Sequence, residues 1–379
     1  MKRIELSKLL DEIPDPRRGN RTRHNLKDIL LIGIMSMICN ADGFTGMEIW
    51  GQTHEKTLRE VLELPYGIPS HDTFGDVFSA LSAEKLAECF GKWIAMLRKD
   101  LDEAQLVSID GKTIRRSKGT AQKATHVVTA FASEMQLVLG QLSTDEKSNE
   151  ITTIPELLKM FGVKGRIITI DAMGTQTDIA QAIVEKEGNY VLALKNNHPN
   201  LLEDVSYFLE NEVMTQKKSI LKETGQYFRT IEKGHGRIET RECFICNDVS
   251  WLEQRDKWLG LSGIGVIASQ RETPDGVITT QNHYFLYSMR NATAESIMKI
   301  KRSHWGIENQ LHWMLDMTFR EDECRARMMN AAENLNILRK LALQLMNQET
   351  SIKGSMKSKR QRCGWDIFYA FKVLGVPVS

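Results

Sequence analysis

Apolar residues run almost unbroken through HNLKDILLIGIMSMICN, residues 24–40, and recur in SAEKLAECFGKWIAML at positions 86, 90, 93, 94 and 97. The first run has no polar face and predicts a helix at the centre of a small bundle; the second predicts an amphipathic helix. Between them IPSHDTFGDVF opens another helix, with Pro69 stopping what precedes it and Ser70 as its N-cap. Residues 1–100 therefore read as an all-helical N-terminal domain.

From 106 the period changes. LVSID, THVVTAFA and LVLGQLS are short β-rich runs, the last two joined by SEM, a hairpin-length connection. ITTIPELLKMFG predicts a helix, RIITID a buried strand, TQTDIAQAIVEKEG a helix and NYVLALK another buried strand. The order β-β-β-α-β-α-β predicts an α/β fold with a mixed sheet. Residues 196–290 carry mostly strand-like runs (QYFRTIE, RIETRECFIC, LSGIGVIASQ, HYFLYSM) and read as a β insertion. Two helices follow, one from NATAES through HWGIENQLHWML and one over MNAAENLNILRKLALQLM. The predicted catalytic core is thus 101–195 with 291–348, and 349–379 reads as a basic C-terminal tail.

At 379 residues the chain exceeds one ordinary core. Its net charge of +1 gives no whole-molecule attraction to nucleic acid, so such binding must come from local patches. Three acid-free basic runs supply them: Arg17, Arg18, Arg21, Arg23 and Lys27; Lys112, Arg115, Arg116, Lys118 and Lys123; Lys353, Lys357, Lys359, Arg360 and Arg362. They favour a polyanionic partner. Among six scattered Cys, only Cys243 and Cys246 have metal-like spacing, and no second pair completes a zinc site. The start lacks a signal-peptide core, and the apolar run 29–39 is short of the ~20 residues a membrane span needs. These features predict a cytoplasmic protein with no membrane partner.

Two predicted strands end in an acid, Asp110 and Asp171. If those strands are neighbours, the two carboxylates meet at one sheet edge, where open α/β sheets keep their sites. Carboxylates that close repel unless a cation lies between them, and Mg²⁺, a hard ion taking oxygen ligands, suits the role. A third acid is expected from an element returning to that edge. Glu308 is the candidate, on one helical face with His304 and His312. That spacing also permits a His-x3-Glu-x3-His zinc site or a plain amphipathic helix.

The strings IDGKTIRRS, HVVTAFAS, LVLGQLSTDEKSNEITTIPELL, IITIDAMGTQ, YVLALKNNH, HGRIETRE and HWGIENQLHWMLDMTF closely resemble bacterial insertion-sequence transposases of the H-repeat-associated family, from near the start to about residue 340. These are DDE transposases, so the resemblance implies a ribonuclease-H-like core with a β insertion before the last acid. It implies Asp110, Asp171 and Glu308 as catalytic and metal-binding residues, with Asp316, Glu321 and Asp322 as alternatives for the third. Mg²⁺ is the implied cofactor, with Mn²⁺ able to substitute. Transposon-end and target DNA are the implied partners, bound by a homodimer in the bacterial cytoplasm at the nucleoid. DNA contacts are expected from Lys112, Arg115, Arg116, Lys195, Asn197, His235, Arg237, Arg241, Arg302, His304 and Trp305. A nuclease of the same fold that cuts without joining, and a non-catalytic DNA-binding remnant of a mobile element, remain as alternatives.

Overall fold

The N-terminal helices of the computed structural model, which describes residues 8–19, 22–98, 106–118, 123–144, 149–234 and 236–375, follow the apolar pattern. They are α1 (Leu26–Ile38), α2 (Phe44–Leu58), α3 (His71–Ala80) and α4 (Ala83–Arg98). Every residue of α1 except Lys27 is buried, as a helix without a polar face requires. The Ser70 hydroxyl accepts the Thr73 N–H and starts α3. Leu86, Phe90 and Trp93 of α4 are buried.

Strands β1 (Leu106–Thr113), β2 (His126–Ala132) and β3 (Leu137–Thr144) form an antiparallel meander. Helix α5 (Glu150–Met160) then leads to β4 (Ile167–Ile170), and α6 (Thr177–Glu185) leads to β5 (Asn189–Leu194). Both strands add in parallel on the free side of β1. The resulting order 3-2-1-4-5, with three antiparallel strands followed by two parallel ones, is the expected ribonuclease-H-like core.

The segment expected as an insertion continues the same sheet. After α7 (Pro199–Phe208) and the short α8 (Lys218–Glu223) come β6 (Tyr227–Gly234), β7 (Arg237–Cys246), β8 (Gly263–Glu272) and β9 (Ile278–Tyr287). Strand β9 pairs antiparallel with β5, giving nine strands in the order β3-β2-β1-β4-β5-β9-β8-β7-β6. Helix α9 (Ala294–His304), started by a Thr293/Ser296 capping box, packs across one face against β1, β4, β6 and β7. A π-helical stretch, Ile307–His312, carries the chain into α10 (Trp313–Met317).

Helix α11 (Ala331–Gln348) joins the two halves. Apart from Glu333, its residues from Ala331 to Met346 are buried, against α1, α3 and α4 on one side and β3 on the other. Bundle and sheet therefore share one hydrophobic cluster. The region expected as a basic tail is two packed helices, α12 (Met356–Trp365) and α13 (Ile367–Leu374). Tyr369, Phe371, Val373 and Leu374 are buried, which is why the segment folds back. Arg360, counted with the basic patch, is 1% exposed. It donates to the Met37 carbonyl (2.7 Å), the Thr318 carbonyl and the Asp42 carboxylate, and lies 4.1 Å from the Phe319 ring centre. Arg360→Met should cost about 3 kcal/mol, because it leaves Asp42 and two carbonyls without their partner; the urea unfolding midpoint measures this.

Candidate active site

The register of β1 and β4 decides where the acids go. Ser108 lies beside Thr169 and Ile109 beside Ile170, so Asp110 and Asp171 leave adjacent parallel strands side by side on one face. One pleat back, the Thr169 hydroxyl donates to the Ser108 hydroxyl at 3.2 Å. The same hydroxyl meets Nδ1 of His304 at 2.8 Å, which fixes α9 over the strand pair. Asp110 Oδ1 accepts the Gly111 N–H (2.9 Å). Asp171 Oδ1 accepts those of Met173 (3.1 Å) and Gly174 (3.3 Å), holding the loop after β4 around it.

Glu308 reaches the same place from the helical side. It lies in the π-helical turn that follows α9, where Gly306 passes close to Ser133 at the end of β2. A Cβ on Gly306 would stand 2.7 Å from that of Ser133, so only glycine lets the helix approach this closely. The electrostatics register the convergence. Burial first, then the Asp171 charge, with Glu308 and Glu150 adding, push the Asp110 carboxyl up to about 7 against the Gly111 N–H. Carboxylates from residues 110, 171 and 308 thus share one field.

The donors are all carboxylate oxygens, the chemistry of a hard divalent ion, and their mutual repulsion is what such an ion relieves. They are not closed on a common point: among the described residues, no three His, Cys, Asp or Glu side chains stand close enough to hold an ion as they are. The His-x3-Glu-x3-His zinc reading fails for a separate reason. His304 is buried, bonded to Thr169 and pushed down to about 3, chiefly by burial and then by Lys301 and Lys195. It is a core histidine, and that corrects its expected DNA contact.

A buried frame surrounds the acids. Beneath β1, His126 Nε2 meets Glu150 Oε1 at 2.6 Å, and its Nδ1 meets the Thr113 hydroxyl at 2.9 Å. This pair packs against the α-carbon of Gly111 so closely that any Cβ there would overlap both. On the Asp110 face, Lys112 turns inward to Glu321 (2.8 Å) and to Asp316. Glu321 is fully buried and also accepts from Asn336 (2.7 Å). Lys112 is therefore a core cation, and the expected phosphate contact is corrected. The same pairing occupies two of the alternative third ligands, while Asp322 pairs with Arg115 at 3.1 Å. His312 Nδ1 stands 3.5 Å from Asp110 Oδ2, and burial, with Lys340 and Lys112, pushes it down to about 3.

The other expected DNA contacts divide. Arg115 and Arg116 are exposed beside the site, Arg116 with its carbonyl bonded to Arg327. Lys195 is exposed just past β5. Asn197 donates to the carbonyls of Ala172 (2.5 Å) and Thr175 (3.3 Å), bracing the loop after Asp171. Arg241 is buried between Glu232 (3.0 Å) and Glu239, 6.0 Å from the Trp305 ring, so its expected exposure is corrected. Arg302 pairs with Glu232 and Arg237 with Glu239 (3.0 Å); Trp305 is 41% exposed. His235 lies outside the described residues. Sequence reasoning missed the His126–Glu150 pair and Lys301. Glu150 had a signal in its place at a helix start, but nothing in the chain announced its partner.

Residues 102–345 match the family model described as transposase DDE domain, and residues 7–94 match the one described as DDE_Tnp_1-associated. An Escherichia coli K12 protein named "H repeat-associated putative transposase YhhI" is 36% identical, with 98% of each chain covered. A Xanthobacter autotrophicus protein named "Uncharacterized protein in dhlA 3'region" is 40% identical over 73% of this chain and 92% of its own. A piggyBac transposase synaptic complex with hairpin DNA is similar at a TM-score of 0.45 and 12% identity, covering 98% of this chain and 81% of that one.

Two substitutions test the frame. Lys112→Gln leaves Glu321 and Asp316 without their cation and should lower stability by about 3 kcal/mol, read by urea denaturation. Gly111→Ala should cost about 1–3 kcal/mol and displace Asp110, since the His126–Glu150 pair must move to admit a methyl group; a thermal midpoint equal to that of wild type would contradict this packing.

Proposed function

The chain belongs to the transposase DDE-domain family, and from that premise we propose that it cuts DNA at the ends of a mobile element and joins the freed 3′-hydroxyl to target DNA. The observation that carries the reading is the parallel β1/β4 pairing, which sets Asp110 beside Asp171 within the field of Glu308. These three would hold divalent cations, Mg²⁺ in the cell with Mn²⁺ able to replace it. Ions bound there supply positive charge to the attacking and leaving oxygens of an in-line displacement at phosphorus.

The chain's own residues do the positioning. The backbone N–H groups of Met173 and Gly174 orient Asp171, and Gly111 orients Asp110. His312, kept neutral beside Asp110, leaves that carboxylate its charge for a cation. Glu308 is the favoured third ligand because Asp316 and Glu321 are committed to Lys112. Arg115, Arg116 and Lys195 are exposed around this edge and would hold the phosphodiester backbone. Joining two ends requires two such sites in one assembly, so a homodimer on DNA is the expected working form. No described helix is long and apolar enough to cross a membrane; the proposed place of action is the nucleoid in the bacterial cytoplasm.

Asp110→Asn, Asp171→Asn and Glu308→Gln should each lower Mg²⁺-dependent cleavage and joining on the order of 10³-fold while leaving DNA binding intact. A labelled-end assay that resolves nicked from joined product is the measurement. Cleavage without joining by wild type would make the protein a nuclease of this fold. Full activity in Glu308→Gln would move the third ligand elsewhere.

A further inference from the structure

Two lysines on the far side of Asp171 have no part in the carboxylate site. Lys195 is the first residue past β5, and Lys301 sits on α9, three residues before the His304 that is bonded to β4. The sheet explains why they meet. Thr169 pairs with Val191, so Asp171 falls level with Ala193 and Lys195 lies one pleat further along the same face. Ala193 pairs with Phe285 of antiparallel β9, which brings His283 level with Lys195. Helix α9 lies over this face, with Ile297 and Ile300 buried in one cluster with Val191 and Phe285.

The charges at this place do not balance. The ammonium group of neither lysine forms a hydrogen bond or an ion pair with a described residue. Burial and the Lys195 charge lower Lys301 to about 8, against the pull of Asp171. His283 beside them is lowered by burial and then by the Lys301 and Lys195 charges. Among the described residues Asp171 is the acid that acts on Lys301, and the carboxylate site claims it. Two ammonium groups held together without a counter-ion repel; an anion between them reverses the sign.

We propose that Lys195 and Lys301 form a seat for one non-reacting phosphate of the DNA strand, with His283 beside it. Adjacent strands lie ~4.8 Å apart, which sets the seat about one strand from Asp171 and two from Asp110. That is too far for the phosphate being cut and suits its neighbour along the same strand. The seat would fix the register of the strand across the carboxylates. It rests on the proposal that the protein acts on DNA.

The test is equilibrium binding of a random-sequence duplex, without divalent ions, over a salt series, for wild type, K195Q, K301Q, K301R and K195Q/K301Q. One shared phosphate predicts that the slope of log affinity against log salt falls by about 0.9 in the double variant, and that K301R keeps the wild-type slope. A fall of about twice that size would put the lysines on separate phosphates and overturn the seat. An unchanged slope in a folded double variant would overturn it too, while leaving the transposase reading in place. Wild type that binds no DNA would remove both. The thermal midpoint without DNA supplies a second readout. K301Q should melt at or above the wild-type temperature, because it removes a repulsion. A clear drop would make Lys301 a structural counter-ion of Asp171 and end the proposal.

Discussion

The parallel pairing of β1 with β4 is the constraint on which the site depends. It places residues 110 and 171, sixty-one apart in the chain, at equivalent ends of neighbouring strands. Side chains on a pleated strand alternate, so a slip of one residue would send one of these acids to the opposite face, among Ile109, Ile168 and Ile170. The Ser108–Thr169–His304 chain of hydrogen bonds marks the face of the acids and ties α9 to it. Glu308 arrives as a consequence, since the helix that carries it cannot shift without breaking the His304 contact or colliding with Ser133.

Around this pairing the protein buries charged side chains, Glu321, Arg339 and Lys340 among them. Glu321 collects Lys112 and Asn336, with Arg339 at 3.9 Å, and so joins β1 to α11. Lys340 on α11 donates to Thr129, the cross-strand partner of Asp110, at 2.8 Å. Such contacts add little net stability over an apolar core, but breaking one leaves an uncompensated buried charge. Their geometric effect is to fix how the helical bundle sits against the edge that carries the carboxylates. Bundle and sheet residues accordingly fall in one buried cluster.

The strands of residues 227–287 lengthen the sheet, and their charges are largely satisfied among themselves. Glu232 and Glu239 hold Arg241, while Glu232 also holds Arg302 and Glu239 holds Arg237 and Arg271. That clamp joins the β6–β7 hairpin to α9 and leaves the Trp305 ring exposed beside it. Lys195, just past β5, and Lys301, on α9, have no such acid partner among the described residues.

The sequence by itself determined the element order, the buried central helix and the two acids at strand ends, because these follow from local periodicity and from position within an element. It also singled out Glu308 and, through its resemblance, the ribonuclease-H-like arrangement. What it left undecided was the direction in which each charge points. Lys112 and Arg115 stand three apart in one basic run, yet one is a core cation and the other is exposed. Arg360 looked like part of a tail and is a buried link between α12 and α1. His304 was expected at the DNA and is a buried core residue. Only the tertiary structure decided these, because the fate of a charge depends on its partners in space, and here they lie up to several hundred residues away.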